Sequence, residues 1–316
     1  MDIFLALLGL VILVLAGDLL VRGAVNLSLR LGIPALIVSL TIVAIGTSAP
    51  ELLISIDAVM AGAPGIAVGN VVGSNTANVL LVLGVPALIF GLGRPGKNLR
   101  SSYVQMLLGT ALFVGLTFFA PLNWGHGIVL LGLYILFMVF AIVSARTAMN
   151  FDKTMEQAAD DIDGAEPCAS WLKIVSYLGL GIIGLPLGAD ILVGSATSIA
   201  RSYGMSETII GLTLIAVGTS LPELATTISA ALRRQVDVAL GNVVGSNMAN
   251  LLAIVGTATF FGEIPISERV LEFDLWLMAA ASLALVPFVM FRIEISRIWG
   301  FVFTALYVTY VACLLT

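Results

Sequence analysis

Thr41–Leu80 reads TIVAIGTSAPELLISIDAVMAGAPGIAVGNVVGSNTANVL, and Thr213–Leu252 reads TLIAVGTSLPELATTISAALRRQVDVALGNVVGSNMANLL. The two align without a gap at an offset of 172, with 21 of 40 positions identical, so they are copies of one unit. Identity concentrates in G-T-S-x-P-E-L and in G-N-V-V-G-S-N-x-A-N. Both patches are polar, and both lie inside apolar stretches where a lipid-facing helix needs neither. A polar site duplicated at membrane depth is the pattern of a transporter built from two related halves. The similarity extends upstream: Asp18 pairs with Asp190, Ala24 with Ala196 and Gly32 with Gly204.

The surrounding chain fits that setting. Of its 316 residues, 59% are hydrophobic and 10% charged, and the mean hydropathy is +1.11. This composition belongs to a polytopic membrane protein. The longest basic cluster is Arg233-Arg234, which argues against nucleic acid as a partner. Cys168 and Cys313 lie in different regions and suggest neither a disulfide nor a metal motif. Asp2 precedes the first apolar run where a signal peptide would carry basic residues, so the run reads as an uncleaved first helix.

Hydropathy and helix breakers predict an all-α membrane protein with ten spans, near 3–27, 34–61, 66–92, 101–120, 125–147, 171–197, 205–231, 236–261, 270–290 and 294–315. Placing the N-terminus outside puts twelve of the fourteen Lys and Arg residues on the cytoplasmic side and only Arg201 and Arg269 outside, so both termini are expected outside. Five spans per half is an odd number, so the halves enter the membrane from opposite sides as inverted repeats. Residues 1–147 then form the first repeat, 148–170 a cytoplasmic acidic linker, and 171–316 the second repeat. The linker's D-I-D-G lacks the twelve-residue spacing and terminal Glu of a calcium loop and reads as solvated.

The chemistry sits in the repeated patches. Pro50 has no N–H and clashes with the turn before it, so the second span is expected to break around Gly46–Ala49 and restart at Pro50. Freed carbonyls at that depth are tolerated only in protein or against a cavity. Ser48 and Glu51 also have the spacing of a capping box. A neutral Gln would cap equally well, whereas a charge at the bilayer centre costs about 2.5–3.5 kcal/mol on insertion scales. The chain carries that cost twice, at Glu51 and Glu223, and a bound cation would offset it. Ser74 and Asn78 share a helix face, and so do Ser246 and Asn250. Hydroxyls, amides, carbonyls and two carboxylates make an all-oxygen site suited to hard cations such as Na⁺, Ca²⁺ or Mg²⁺.

On these residues the chain resembles the sodium/calcium exchanger branch of the cation/Ca²⁺ antiporter superfamily, prokaryotic type. G-T-S-A-P-E at 46–51 with G-S-N-x-x-N at 73–78, and G-T-S-L-P-E at 218–223 with G-S-N-x-x-N at 245–250, are similar to its two alpha-repeats. The resemblance implies ten helices as two inverted five-helix repeats, with helices 2, 3, 7 and 8 broken at the ion site. It implies Glu51 and Glu223 as central Ca²⁺ ligands shared with Na⁺, and oxygens from Thr47, Thr219, Ala44 and Ala216. Ser74 and Ser246 would complete flanking Na⁺ sites, and Ser48, Ser220, Asn78 and Asn250 would line the centre. It also implies electrogenic Na⁺/Ca²⁺ antiport by alternating access at the cell membrane, in which the first and sixth spans slide across the rest. The transported Ca²⁺ and Na⁺ are its ligands, with membrane lipid around it, no cofactor and no obligate protein partner. Asn250, where some relatives carry Asp, argues against K⁺ dependence.

Competing functions are weaker. H⁺/Ca²⁺ antiport would use the same glutamates as proton carriers, but proton-coupled relatives tend to show G-N-x-x-E where this chain has G-N-V-V-G. A channel usually builds its path from symmetric subunits. A zinc protease needs H-E-x-x-H, and the single histidine, His126, reads as a loop residue, so the chain is not expected to be an enzyme. Asp57 is expected to be buried and hydrogen-bonded. Asp18 and Asp190 are expected to pair with helix ends or polar neighbours. Gly17, Gly23, Gly179, Gly181, Gly184 and Gly188 are expected to serve close helix packing.

Overall fold

The computed structural model describes residues 2–149, 169–204 and 216–315, with the side chains of 144–149, 216 and 315 excepted. Most of the 148–170 linker, Cys168 and the first part of the 205–231 span lie outside the described residues. The rest is helical: α1 Asp2–Leu31, α2 Ala35–Thr47, α3 Ala49–Met60, α4 Pro64–Phe90, α5 Leu99–Thr117, α6 Trp124–Met149, α7 Trp171–Ser202, α8 Ala216–Thr219, α9 Leu221–Leu232, α10 Val236–Ala258, α11 Val270–Met290 and α12 Arg297–Leu315. Helix occupies a part of every stretch expected to span. Among the described residues seven helices are long and apolar enough to cross a membrane, and eight if bent α2–α3 is one span. The two that fall short are α5, the more polar, and α8–α9, whose first part is not described.

The helix ends follow from local chemistry. Gly32 takes a left-handed φ of 68° after α1, and Pro34 then caps α2. Gly62 ends α3 with φ 76°. Its counterpart at the end of α9 is Arg234, with φ 55°, which keeps the same turn without a glycine.

Two helices make the centre. In its most apolar stretch α10 is 94% buried and α4 72%, against 28% for α1 and for α7. α4 and α10 carry the two G-N-V-V-G-S-N-x-A-N patches. The outer helices instead expose large apolar side chains such as Leu7, Leu15, Leu108, Ile135, Ile183 and Phe301. A water-facing surface would not show this, and a lipid-facing one does.

α1 and α7, counterparts in the repeat, pack along much of their length. At one end Ser198 Oγ donates to Asp2 Oδ2 (2.5 Å). At the other Arg30 donates to the Ala169 carbonyl (3.0 Å) and stacks over Trp171. The start of each helix thus meets the end of the other, so they run antiparallel. Glycines let the backbones touch: a Cβ on Gly9 would stand 2.7 Å from the Leu192 nitrogen, and one on Gly181 2.6 Å from Leu20 Cβ. Gly23, Gly184 and Gly188 are similarly tight in this pair, whereas Gly17 is tight against Ala225 of α9. Gly179 departs from the expectation: no described atom lies within 4 Å of the place its Cβ would take.

Candidate cation site

The second and seventh spans break where proline dictates. Ser48 leaves the helical region with φ −86° and ψ 8°, and Ser220 does the same with φ −87° and ψ 4°. Pro50 and Pro222 then open α3 and α9, and α2 meets α3 at 43°. Glu51 and Glu223 fall in the first turns of these half-helices, where the positive end of the helix dipole favours a carboxylate. The capping-box reading does not hold at either break, because neither serine side chain caps its own helix. Ser48 instead donates across the repeat to Glu223 Oε1 (3.0 Å).

The third and eighth spans are distorted rather than broken. The chain stays helical but widens into π turns at Asn78–Val82 and Ala249–Ile254, which begin on or beside the expected ligands Asn78 and Asn250. π turns recur at functional sites because they aim side chains that an α-helix would point elsewhere.

Glu51 and Glu223 are each 1% exposed, and the hydroxyl of Ser48, three residues before Glu51, reaches Glu223 Oε1. Thr47, Ser48, Ser220, Ser74, Ser246, Asn78, Asn250 and Ala44 are buried as well. Thr219 is half-buried and lines a cavity. Ala216 begins α8, and its side chain is not described. The Ala44 carbonyl already accepts from the Ser48 N–H (3.0 Å) and from Thr47 Oγ1 (3.3 Å). In the second half the Ser220 N–H turns to Val217 instead (3.1 Å).

Six buried side-chain oxygens in this group have no hydrogen-bond partner among the described residues: Glu51 Oε2, Glu223 Oε2, Asn78 Oδ1, Asn250 Oδ1, Ser220 Oγ and Ser246 Oγ. Leaving one such atom unpaired costs about 1–3 kcal/mol, and more when it is charged. All six, supplied by both repeats, are oxygens of the kind that a hard cation takes as ligands. Among the described residues no group of three or more His, Cys, Asp or Glu side chains gathers, so neutral oxygens must complete any coordination shell.

Four asparagines of the repeated patches were not picked out as site residues from sequence. Asn70 Nδ2 donates to the Glu51 carbonyl (3.2 Å) and to Ser55 Oγ (3.1 Å). Asn242 does the same for the Glu223 carbonyl (3.5 Å) and Thr227 Oγ1 (3.4 Å). Each therefore fixes the backbone that carries a glutamate. Asn75 and Asn247 bond across α4 and α10. Their repetition in both patches was the available signal.

The remaining expectations divide: the one for Asp18 holds, and those for Asp57 and Asp190 do not. Asp57 is exposed, not buried, because the buried stripe of α3 runs through Glu51, Ser55, Ala58 and Val59 and leaves it on the opposite face. Asp18 pairs with Arg22 (2.9 Å) and with Arg233 (2.7 Å to Nε). Asp190 is exposed and lines a cavity of about 400 Å³ with Pro50, Leu53, Ala189, Thr219 and Pro222. His126 Nδ1 accepts from the Asn123 N–H (3.1 Å) at the start of α6.

Known proteins resemble this chain along most of its length. The family model described as sodium/calcium exchanger protein matches residues 1–143 and 173–316. The putative antiporter CaxA of Alkalimonas amylolytica is 37% identical, over 88% of this chain and 86% of its own length. The sodium/calcium exchanger MaX1 of Methanosarcina acetivorans is 34% identical, over 98% and 97%. A structure of the sodium-calcium exchanger NCX_Mj, soaked with zero Na⁺ and Ca²⁺, superposes with a TM-score of 0.83 at 30% identity, covering 99% of this chain and 98% of that one. This chain belongs to the sodium/calcium exchanger protein family.

Proposed function

We propose that the protein exchanges Na⁺ for Ca²⁺ across the cell membrane by alternating access, at one site shared by both ions. The observation that carries this is the set of six unpartnered buried oxygens around Glu51 and Glu223. One Ca²⁺ balances two carboxylates, and so do Na⁺ ions. Either load lets the site change the side it faces, whereas the empty site keeps two charges in a dry interior and crosses poorly. Exchange without leak follows from that difference. Thr47, Ser48, Thr219, Ser220, Ser74, Ser246, Asn78 and Asn250 supply neutral oxygens. Ala44 and Ala216 offer carbonyls, that of Ala44 only by releasing a present partner. The ten-span inverted arrangement, with 148–170 joining repeats 1–147 and 171–316 and both termini outside, is supported by the antiparallel pairing of α1 with α7 and by the charge bias. More than two Na⁺ per Ca²⁺ makes the cycle electrogenic, and Asn250 makes it independent of K⁺.

The test is ⁴⁵Ca²⁺ uptake into proteoliposomes under an imposed Na⁺ gradient at fixed pH. Wild type takes up Ca²⁺ in proportion to the gradient, and Glu51→Gln and Glu223→Gln lose uptake. Uptake that follows a pH gradient and ignores Na⁺ replaces this reading with H⁺/Ca²⁺ exchange. Equal uptake by either variant removes the carboxylates from the mechanism.

A further inference from the structure

An asparagine offers a cation only one of its two faces. The carbonyl oxygen can coordinate, while the NH₂ group repels, and for a buried side chain the hydrogen bonds to the surrounding protein decide which face points inward. At Asn78 and Asn250 that decision is visible. Asn78 Nδ2 donates to Asn247 Oδ1 at 3.0 Å, and Asn250 Nδ2 donates to Asn75 Oδ1 at 3.0 Å. The offset of 172 converts one bond into the other. All four side chains are buried. With their NH₂ groups engaged, Asn78 and Asn250 leave their Oδ1 atoms without a partner among the described residues.

The two acceptors are held in turn. Asn75 Nδ2 donates to the Asn247 carbonyl (3.2 Å), and Asn247 Nδ2 points at Met106 Sδ (3.9 Å). Turning either acceptor amide over would set NH₂ against NH₂ in a dry interior and strand both donors. We propose that Asn75 and Asn247 are positioning residues, which touch no transported ion and instead fix Asn250 and Asn78, each in the opposite repeat, with the oxygen face toward it. This rests on the shared cation site proposed above and adds that each repeat orients a ligand of the other, so neither half holds a competent site alone.

Equilibrium ⁴⁵Ca²⁺ binding to the purified full-length protein in Na⁺-free buffer tests it by double-mutant cycles. Asn247→Ala is expected to raise the half-saturating Ca²⁺ concentration about ten-fold, the lower end of what losing a partner behind a metal ligand costs. In an Asn78→Ala background it should add nothing, because the residue it orients is gone. Asn75→Ala should behave in the same way toward Asn250→Ala. The crossed pairs, Asn247 with Asn250 and Asn75 with Asn78, should be additive. Where alanine leaves too little folded protein, serine, too short to reach the partner, takes its place. Additive effects within the bonded pairs overturn the positioning role and leave the site intact. Wild type that binds no Ca²⁺ overturns the site and this role together.

Discussion

Two regions related by the offset of 172, α1 against α9 and α7 against α3, are built from corresponding residues and differ in shape. Between α1 and α9 the chains touch: a Cβ on Gly17 would stand 2.9 Å from the Ala225 carbonyl oxygen, and Asp18 binds Arg233. Their counterparts Ala189, Leu53 and Asp190 line the cavity of about 400 Å³ that reaches Thr219 and the two helix-opening prolines. A cavity therefore opens on one side of the bundle while packed helices close the corresponding place on the other, and in the orientation proposed above the open side is the outer one. The seal is written into the sequence. Gly17 faces Ala225 where the other half has Ala189 and Leu53, and Arg22 and Arg233 correspond to Gly194 and Ala61. The ligand patches are duplicated and the ion pair is not. In the alternating cycle proposed above, opening the sealed side would break the Asp18–Arg233 bridge, and no basic residue stands at either counterpart to replace it when the other side closes.

Substitutions at counterpart positions sharpen this contrast. The largest effect is expected at Gly17→Val, which forces a side chain into backbone and should cost about 2–3 kcal/mol. Thermal unfolding should fall by several degrees and Na⁺-driven uptake should be lost, while Ala189→Val, facing the cavity, leaves the melting temperature nearly unchanged. Equal losses at the two positions would erase the contrast. Next comes Arg233→Gln, which removes one partner of a half-buried pair and should destabilise by about 1–2 kcal/mol. A matched Ala61→Arg in the other half should recover none of that loss, since Asp190 stands across an open cavity. The smallest effect is expected at Asp190→Asn. Stability should hold, and half-saturating Ca²⁺ should rise about two-fold at low ionic strength and return to wild type at high salt, as for a charge that only attracts cations into the cavity mouth.

What could be read in advance followed from local rules. The breaks at Ser48 and Ser220 were legible because proline and the residue before it leave few conformations, and Glu51 and Glu223 because a charge in an apolar run needs a cause. The π turns at Asn78 and Ala249 carry no such punctuation. Partners far apart in sequence were hidden: Asp18 with Arg233 and Asn75 with Asn250 depend on the packed fold. The expectation for Asp57 failed because its depth along the helix was legible and the face it occupies was not. The capping box at Ser48 matched in spacing, but a carboxylate from the opposite repeat takes its hydroxyl.

The central claim is that Ca²⁺ and Na⁺ occupy the same oxygens between Glu51 and Glu223. Equilibrium ⁴⁵Ca²⁺ binding to purified protein at rising Na⁺ tests it most directly. One Ca²⁺ should bind per chain, Na⁺ should displace it competitively with a Hill slope above one, and Glu51→Gln and Glu223→Gln should abolish binding. Ca²⁺ that stays bound at saturating Na⁺, or that binds both variants as tightly as wild type, contradicts the account.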